Sequence, residues 1–135
     1  MGTVFIDSNI LLDVLTEDPK WFGWSSAALA AAADRHRLVI NAVVYAEISV
    51  RFSRIEDLEA ALPPQLIERE AIPFEAAFLA GKCFQTYRRR GGARTSPLPD
   101  FFIGAHAAVA GHDLMTRDVA RYETYFPTLR LFSPQ

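Results

Sequence analysis

The chain has a single cysteine, Cys83, which excludes an internal disulfide and any structural zinc site built on cysteines. A lone thiol fits a reducing cytoplasm, where this chain is expected to act. Only two lysines occur, Lys20 and Lys82. A formal net charge of −2 leaves no general basic excess to hold nucleic acid by charge alone. A nucleic-acid role therefore needs a local basic patch. The three histidines include no pair at zinc-ligand spacing. No apolar run approaches the roughly 18 residues of a membrane span, and the alanine-rich stretch 27–33 is far too short, so no membrane association is expected. The N-terminus reads as a structural strand and not as a cleavable leader. No repeat or low-complexity tract breaks the chain.

What remains is an ordinary globular composition, 50% hydrophobic and 22% charged over 135 residues. That length predicts one domain, 1–135, with one sizeable core. The first ten residues set its organisation. Thr3 to Ile6 is a short apolar run that stops at Asp7-Ser8-Asn9, and Ile10, Leu11, Val14 and Leu15 then follow at helical spacing. A buried strand turning directly into a helix is the expected form. In open parallel α/β sheets, ligands bind just beyond the carboxyl ends of the strands.

The remaining elements alternate in the same way. A helix is predicted from Trp21 to Asp34, its alanines strong helix formers, with Trp21, Phe22 and Trp24 in the core or on an oligomer surface. Arg37 to Ile40 reads as a strand ended by Asn41. The helix 42–52 has an inward face of Val43, Val44, Glu47 and Val50. A smaller helix follows within 53–62, with Ile55, Leu58, Ala61 and Leu62 inward. Residues 65–72 fit a short strand or a helical turn. A long helix then runs from Phe74 to about Arg90, its buried stripe drawn from Ala77, Phe78, Gly81, Cys83, Phe84 and Tyr87. Thr95 to Pro99 is an extended loop. The next helix begins at Asp100 and turns a small apolar face of Ile103, Gly104, Ala107 and Gly111 toward the sheet. His106 lies off that face, as a surface or internally satisfied histidine. A strand over 112–116, a helix from Val119 to Tyr125 and an edge strand over 129–132 complete the order.

Four acids stand out. Asp7 and Asp118 each follow a short apolar strand, and Asp100 opens a tightly packed helix. Each has a complete local explanation as a helix cap or a partner of the helix dipole. Glu47 does not, because a carboxylate on an inward face needs something to satisfy it: an arginine, a set of donors or a metal ion. Strand ends in a parallel sheet converge on one edge, and converging carboxylates repel. A divalent cation relieves that repulsion, and all-oxygen ligands favour Mg²⁺ or Mn²⁺. Such an ion activates water and stabilises charge on a phosphate oxygen, which points to phosphodiester hydrolysis. Arg88, Arg89, Arg90 and Arg94 form the one basic cluster. They suit the helix C-terminus and its Gly91 cap, and equally suit contacts to phosphates.

The ordered set Val4-Phe5-Ile6-Asp7-Ser8-Asn9, Asn41-Ala42-Val43-Val44-Tyr45-Ala46-Glu47, Asp100-Phe101-Phe102-Ile103-Gly104-Ala105-His106-Ala107 and Leu114-Met115-Thr116-Arg117-Asp118 resembles PIN-domain ribonucleases. The resemblance is closer still to the VapC-type toxins of bacterial toxin–antitoxin pairs, and it spans nearly the whole chain. It implies a PIN-like three-layer α/β/α sandwich with a short, mainly parallel central sheet. It also implies a homodimer, Mg²⁺- or Mn²⁺-dependent endonuclease activity on RNA, and a small cognate antitoxin in a hetero-oligomer. The antitoxin's C-terminal segment would wrap the toxin and block the site, often with an arginine. By the same resemblance Asp7, Glu47, Asp100 and Asp118 are the catalytic acids, with Asp7, Asp100 and Asp118 on the metal. Asn9 and Thr116 are polar helpers, whereas Ser8 and Arg117 match the motifs without a direct role. Two other readings stay open: a non-catalytic α/β binding module whose acids only cap helices, and a receiver-like phosphotransfer domain. The latter calls for a lysine at a late strand end, where neither Lys20 nor Lys82 falls.

Overall fold

The computed structural model describes residues 2–95 and 98–134; Ser96 and Pro97 of the expected extended loop lie outside them. Five parallel strands form one sheet: β1 (Thr3–Ile6), β2 (Arg37–Ile40), β3 (Glu68–Arg69), β4 (Asp113–Met115) and β5 (Leu131–Phe132), in the order β3-β2-β1-β4-β5. Among the described residues there are seven helices: α1 (Ser8–Leu15), α2 (Phe22–Ala33), α3 (Ala42–Ser49), α4 (Ile55–Ala61), α5 (Phe74–Arg89), α6 (Pro99–Ala110) and α7 (Val119–Tyr125). This is the expected α/β/α sandwich, with every strand pair parallel.

The short apolar runs become central strands because they are covered on both faces. Val4, Phe5, Ile6, Val39, Ile40 and Leu114 are fully buried. Leu38 faces a layer made by α1, α2 and α4. Phe5 faces the opposite layer, where its ring meets His106 of α6 edge-on at 5.1 Å. The strand order reverses at β1. The chain steps outward to β2 and β3, then returns to place β4 on the other side of β1. The crevice beyond the carboxyl ends of β1 and β4 is therefore the topological switch point, the position where open α/β sheets bind ligands. A bond from the Asp7 N–H to the Met115 carbonyl, 2.9 Å long, ties those two strand ends together.

Several expectations about helix faces need correction. Helix α3 ends at Ser49, and Val50 is 79% exposed, so the face beside Glu47 is Val44 and Ile48. On α4 only Leu58 is buried, while Ile55 and Ala61 are exposed. On α5 the buried stripe is Ala76, Ala80 and Cys83, and Phe78 is exposed. Trp24, in keeping with its expected place, packs against the core, while Trp21 is partly covered and Phe22 is exposed. Residues 65–72 yield the two-residue strand β3. Helix α6 packs on the sheet as expected, and its Gly104 is also pressed against Phe126 at the end of α7. A Cβ on Gly104 would lie 2.3 Å from the Phe126 ring, so only glycine admits this approach.

Candidate active site

Asp7 ends β1 and caps α1, its Oδ1 accepting the Ser8 N–H at 2.7 Å. The cap is real but uses one oxygen. The other, Oδ2, accepts from the Thr116 hydroxyl at 2.8 Å, the Tyr122 phenol at 3.0 Å and the Asn9 amide at 3.3 Å. Thr116 arrives from the end of β4 and Tyr122 from the inward face of α7. Asn9 and Thr116 therefore both touch Asp7. The Asn9 carbonyl also accepts the Arg117 N–H at 3.2 Å, pinning the turn after β4.

The other acids are joined to Asp7 through shared donors. The Ser8 hydroxyl lies 2.8 Å from Glu47 Oε1 and 3.4 Å from Asp7 Oδ1. Ser8, expected to have no direct role, is thus what satisfies the half-buried Glu47. The Tyr122 oxygen lies between Asp7 and Asp100, 3.5 Å from Asp100 Oδ1. The Asp118 N–H donates to Thr116 Oγ1 at 3.0 Å. Asp118 does not cap α7 with its side chain, contrary to expectation, and its carboxylate is exposed.

Electrostatics separate this cluster from a set of caps. Asp7 is 3% exposed, and burial pushes its carboxyl up to about 6, against the lowering effect of the Thr116 bond and with the Asp100 charge adding to the rise. Burial, with the Asp100 charge, also raises Glu47. Burial raises Asp100 in turn, and the Asp118 charge adds to it while Arg121 opposes. Burial and the Asp7 carboxylate push the Tyr122 phenol well above its usual range, so it remains a proton donor. The acids feel one another, and no internal cation balances them fully. Arg121 Nε is 3.5 Å from Asp100 Oδ2. Arg117 is committed elsewhere: it forms a two-pronged pair with buried Asp13 at 2.7 and 2.9 Å. An all-oxygen donor set with raised carboxyls fits a hard divalent cation.

The expected basic cluster is divided. Arg88 Nη1 donates to the carbonyls of Gly92 and Arg94, at 3.1 and 2.8 Å, and holds the loop after α5. Arg89 and Arg94 are exposed. Arg90 alone lines a cleft that also contains Asp118, together with Arg121. Tyr122, Arg121 and Asp13 were not predicted.

A second polar cluster joins Asn41 after β2, Glu70 after β3, His106 of α6 and His112 before β4. His106 is fully buried, not a surface histidine, and is internally satisfied. Its Nε2 is 3.0 Å from Glu70 Oε1, and His112 Nε2 is 2.8 Å from the same oxygen. These three offer ligand atoms within 4.8 Å of one another. The tautomer argues for a hydrogen-bonded triad. Asn41 uses its Oδ1 to cap α3 at Val43 and Val44, so its Nδ2 donates to His106 Nδ1 at 3.1 Å. His106 Nδ1 is then the acceptor and Nε2 carries the proton, facing Glu70 with a donor and not a lone pair. Burial lowers His106, keeping it neutral. Burial alone would raise Glu70, but the His112 and His106 bonds bring it below its ordinary value.

The fold and the acids together define an α/β/α protein with an acidic centre at the switch point of a parallel sheet. The PIN domain family model matches residues 4–126, and the chain belongs to the PIN-domain family. Among solved structures it is similar to VapBC2 from Rickettsia felis bound to a promoter DNA fragment, with 18% identity and a TM-score of 0.72 over 97% of this chain and 98% of that one. It is similar to VapBC-1 from nontypeable Haemophilus influenzae, with 20% identity and a TM-score of 0.71 over 97% of each chain. It is also similar to a toxin–antitoxin complex from Klebsiella pneumoniae, with 20% identity and a TM-score of 0.69 over 98% of each chain. No curated protein matches the chain.

Proposed function

We propose that this chain is a VapC-type toxin, a Mg²⁺- or Mn²⁺-dependent endoribonuclease that hydrolyses RNA phosphodiester bonds and so inhibits growth. The observation that carries the reading is the linkage of the Asp7, Glu47 and Asp100 carboxylates through Ser8 and Tyr122 at the β1/β4 switch point, with the Asp118 N–H on Thr116, which itself donates to Asp7. Asp7, Asp100 and Asp118 would hold the cation, which when bound lowers the pKa of water and offsets charge on the phosphate. Glu47, raised above the usual carboxylate range and held by Ser8, accepts the proton of the attacking water. Asn9, Thr116 and Tyr122 fix the Asp7 carboxylate so that it need not reorganise during reaction.

The toxin reading extends to a cognate antitoxin, a homodimer and a cytoplasmic site of action. Its support is the family, the toxin–antitoxin complex among the similar folds, and an apolar groove. That groove, about 280 Å³, runs between α1, α2 and α4 and is lined by Leu11, Val14, Leu29, Ala33, Leu62 and Leu66. It suits the apolar face of an antitoxin segment. Purified Asp100→Asn protein should cut RNA at least 10³-fold more slowly than wild type in Mn²⁺ while keeping its fold. A variant that cuts at the wild-type rate defeats the nuclease assignment. The alternative, a binding module with caps alone, has less support, since Asp118 makes no cap bond.

A further inference from the structure

Beside the acidic centre, a cleft of about 440 Å³ is lined by Tyr87, Arg90, Asp118, Arg121, Thr124 and Tyr125. Two guanidinium groups flank it, each laid against aromatic rings. Arg121 sits 5.7 Å from the Tyr87 ring centre and 5.6 Å from that of Phe101. Arg90 sits 5.6 Å from the Tyr125 ring centre. The rings are themselves braced: Phe101 meets Tyr125 at 4.9 Å and Tyr87 at 5.8 Å, both edge-on.

Neither arginine is used up by the fold. Among the described residues no carboxylate pairs with Arg90. Arg121 has one long contact, to Asp100 at 3.5 Å, and its Nη1 is buried without any partner. A buried donor left unpaired costs free energy, more so on a charged group. Arg117 shows the contrast, with both prongs on Asp13. A planar guanidinium held on an aromatic face, with donors free, is organised in advance for an oxyanion and loses little rotamer freedom on binding it. The location gives a reason. The acids would repel a polyanion, and this chain has a net charge of −2. Cationic groups at the rim of the acidic centre offset that repulsion where the substrate must enter.

We infer that Arg90 and Arg121 form a phosphate-binding subsite that holds the single-stranded RNA backbone beside the scissile linkage. The inference rests on the ribonuclease reading and names where that substrate is gripped. Arg121 gives up its loose contact with Asp100 to take the phosphate, leaving that carboxylate to the acidic centre. Arg90 grips from the opposite wall.

The test is binding of a labelled single-stranded oligoribonucleotide in EDTA over a salt series. Wild type is compared with Arg90→Gln, Arg121→Gln, the double variant, Arg121→Lys and a control, Arg54→Gln, at the exposed residue before α4. The double variant is expected to bind about tenfold more weakly. Its log–log salt slope should fall by about 1.4, since each single-strand phosphate contact contributes about 0.7. Arg121→Lys should keep the slope and recover only part of the affinity, while Arg54→Gln stays at wild type. Thermal unfolding of the same samples checks their fold. A folded double variant with wild-type affinity and slope overturns the subsite, as does a wild type that does not bind the oligonucleotide. Failure of the nuclease reading is seen separately, as wild-type protein that binds RNA through these arginines yet does not cut it in Mn²⁺.

Discussion

Two polar clusters pack against the same sheet, and they are balanced in opposite ways. In one, Asn41 after β2, Glu70 after β3, His106 of α6 and His112 before β4 close on one another. Each donor faces an acceptor, His106 is held neutral, and Glu70 lies below its ordinary pKa. At the ends of β1 and β4 the opposite holds. Asp7, Glu47 and Asp100 are all raised, and the donors around them reduce the strain without removing it. Both clusters have fully buried members and both are acidic in part. What differs is whether the charges find partners inside the chain. Perturbed carboxyls whose internal counter-charge is incomplete are where an outside cation has something to gain. Polar residues alone, or even ligand atoms at metal-like spacing, do not mark such a place.

The comparison breaks most readily on stability. His106→Leu should destabilise the protein by about 3 kcal/mol, because it strips partners from Asn41 and Glu70 in the interior. Denaturant titration reads this, and Mn²⁺ affinity should not change. A neutral effect on stability would mean that the triad is not the closed structural unit described.

The next largest effect is pH-dependent and has opposite signs at the two ends. The Asp7 carboxyl is near 6 in the folded state, against 3.8 as its ordinary value. Its stabilising contribution is therefore present below the lower value and lost as pH rises through the upper one, by up to about 3 kcal/mol. Glu70 and His106 are lowered, so their contributions are present above their ordinary values and lost as the pH falls. Metal-free Asp7→Asn should therefore lose the decline in stability between pH 4 and 7 and show a stability maximum at higher pH than wild type. Urea titrations at several pH values measure it; a pH profile unchanged by the substitution would contradict the buried, charge-strained Asp7. The smallest effect belongs to Ser8→Ala. It should cost about 1 kcal/mol and slow RNA cleavage by about tenfold, the two effects reporting the same hydroxyl on Glu47. Wild-type cleavage by this variant would remove Ser8 from the cluster.

Much of the fold could be read from the chain, because a short apolar run ending in a polar residue has few alternatives in a parallel sheet. Asp7, Asn41 and Thr116 all fall at such ends. Strand β3 was legible only as one of two options, a short strand or a helical turn, since two residues carry no period. The direction of Glu47 was legible and its reason was not: helix spacing suggested a valine-lined face, whereas Val50 is exposed and Ser8, 39 positions away, satisfies the carboxylate. Tyr122 bonds Asp7 across 115 positions, and no local pattern encodes that pairing. Of the two readings of His106, surface or internally satisfied, the second holds, with partners Asn41 and Glu70 that follow two other strands. The chemical roles of the four acids came from the resemblance to PIN-domain ribonucleases; spacing alone left each of them a possible cap.

The central claim is that the acidic cluster, and not the histidine triad, takes a divalent cation. Titration calorimetry with Mn²⁺ tests it on three proteins. Wild type and His112→Ala should bind Mn²⁺ alike, and Asp100→Asn should bind at least tenfold more weakly. Wild type that takes up no Mn²⁺, or binding lost in His112→Ala and kept in Asp100→Asn, would contradict the account.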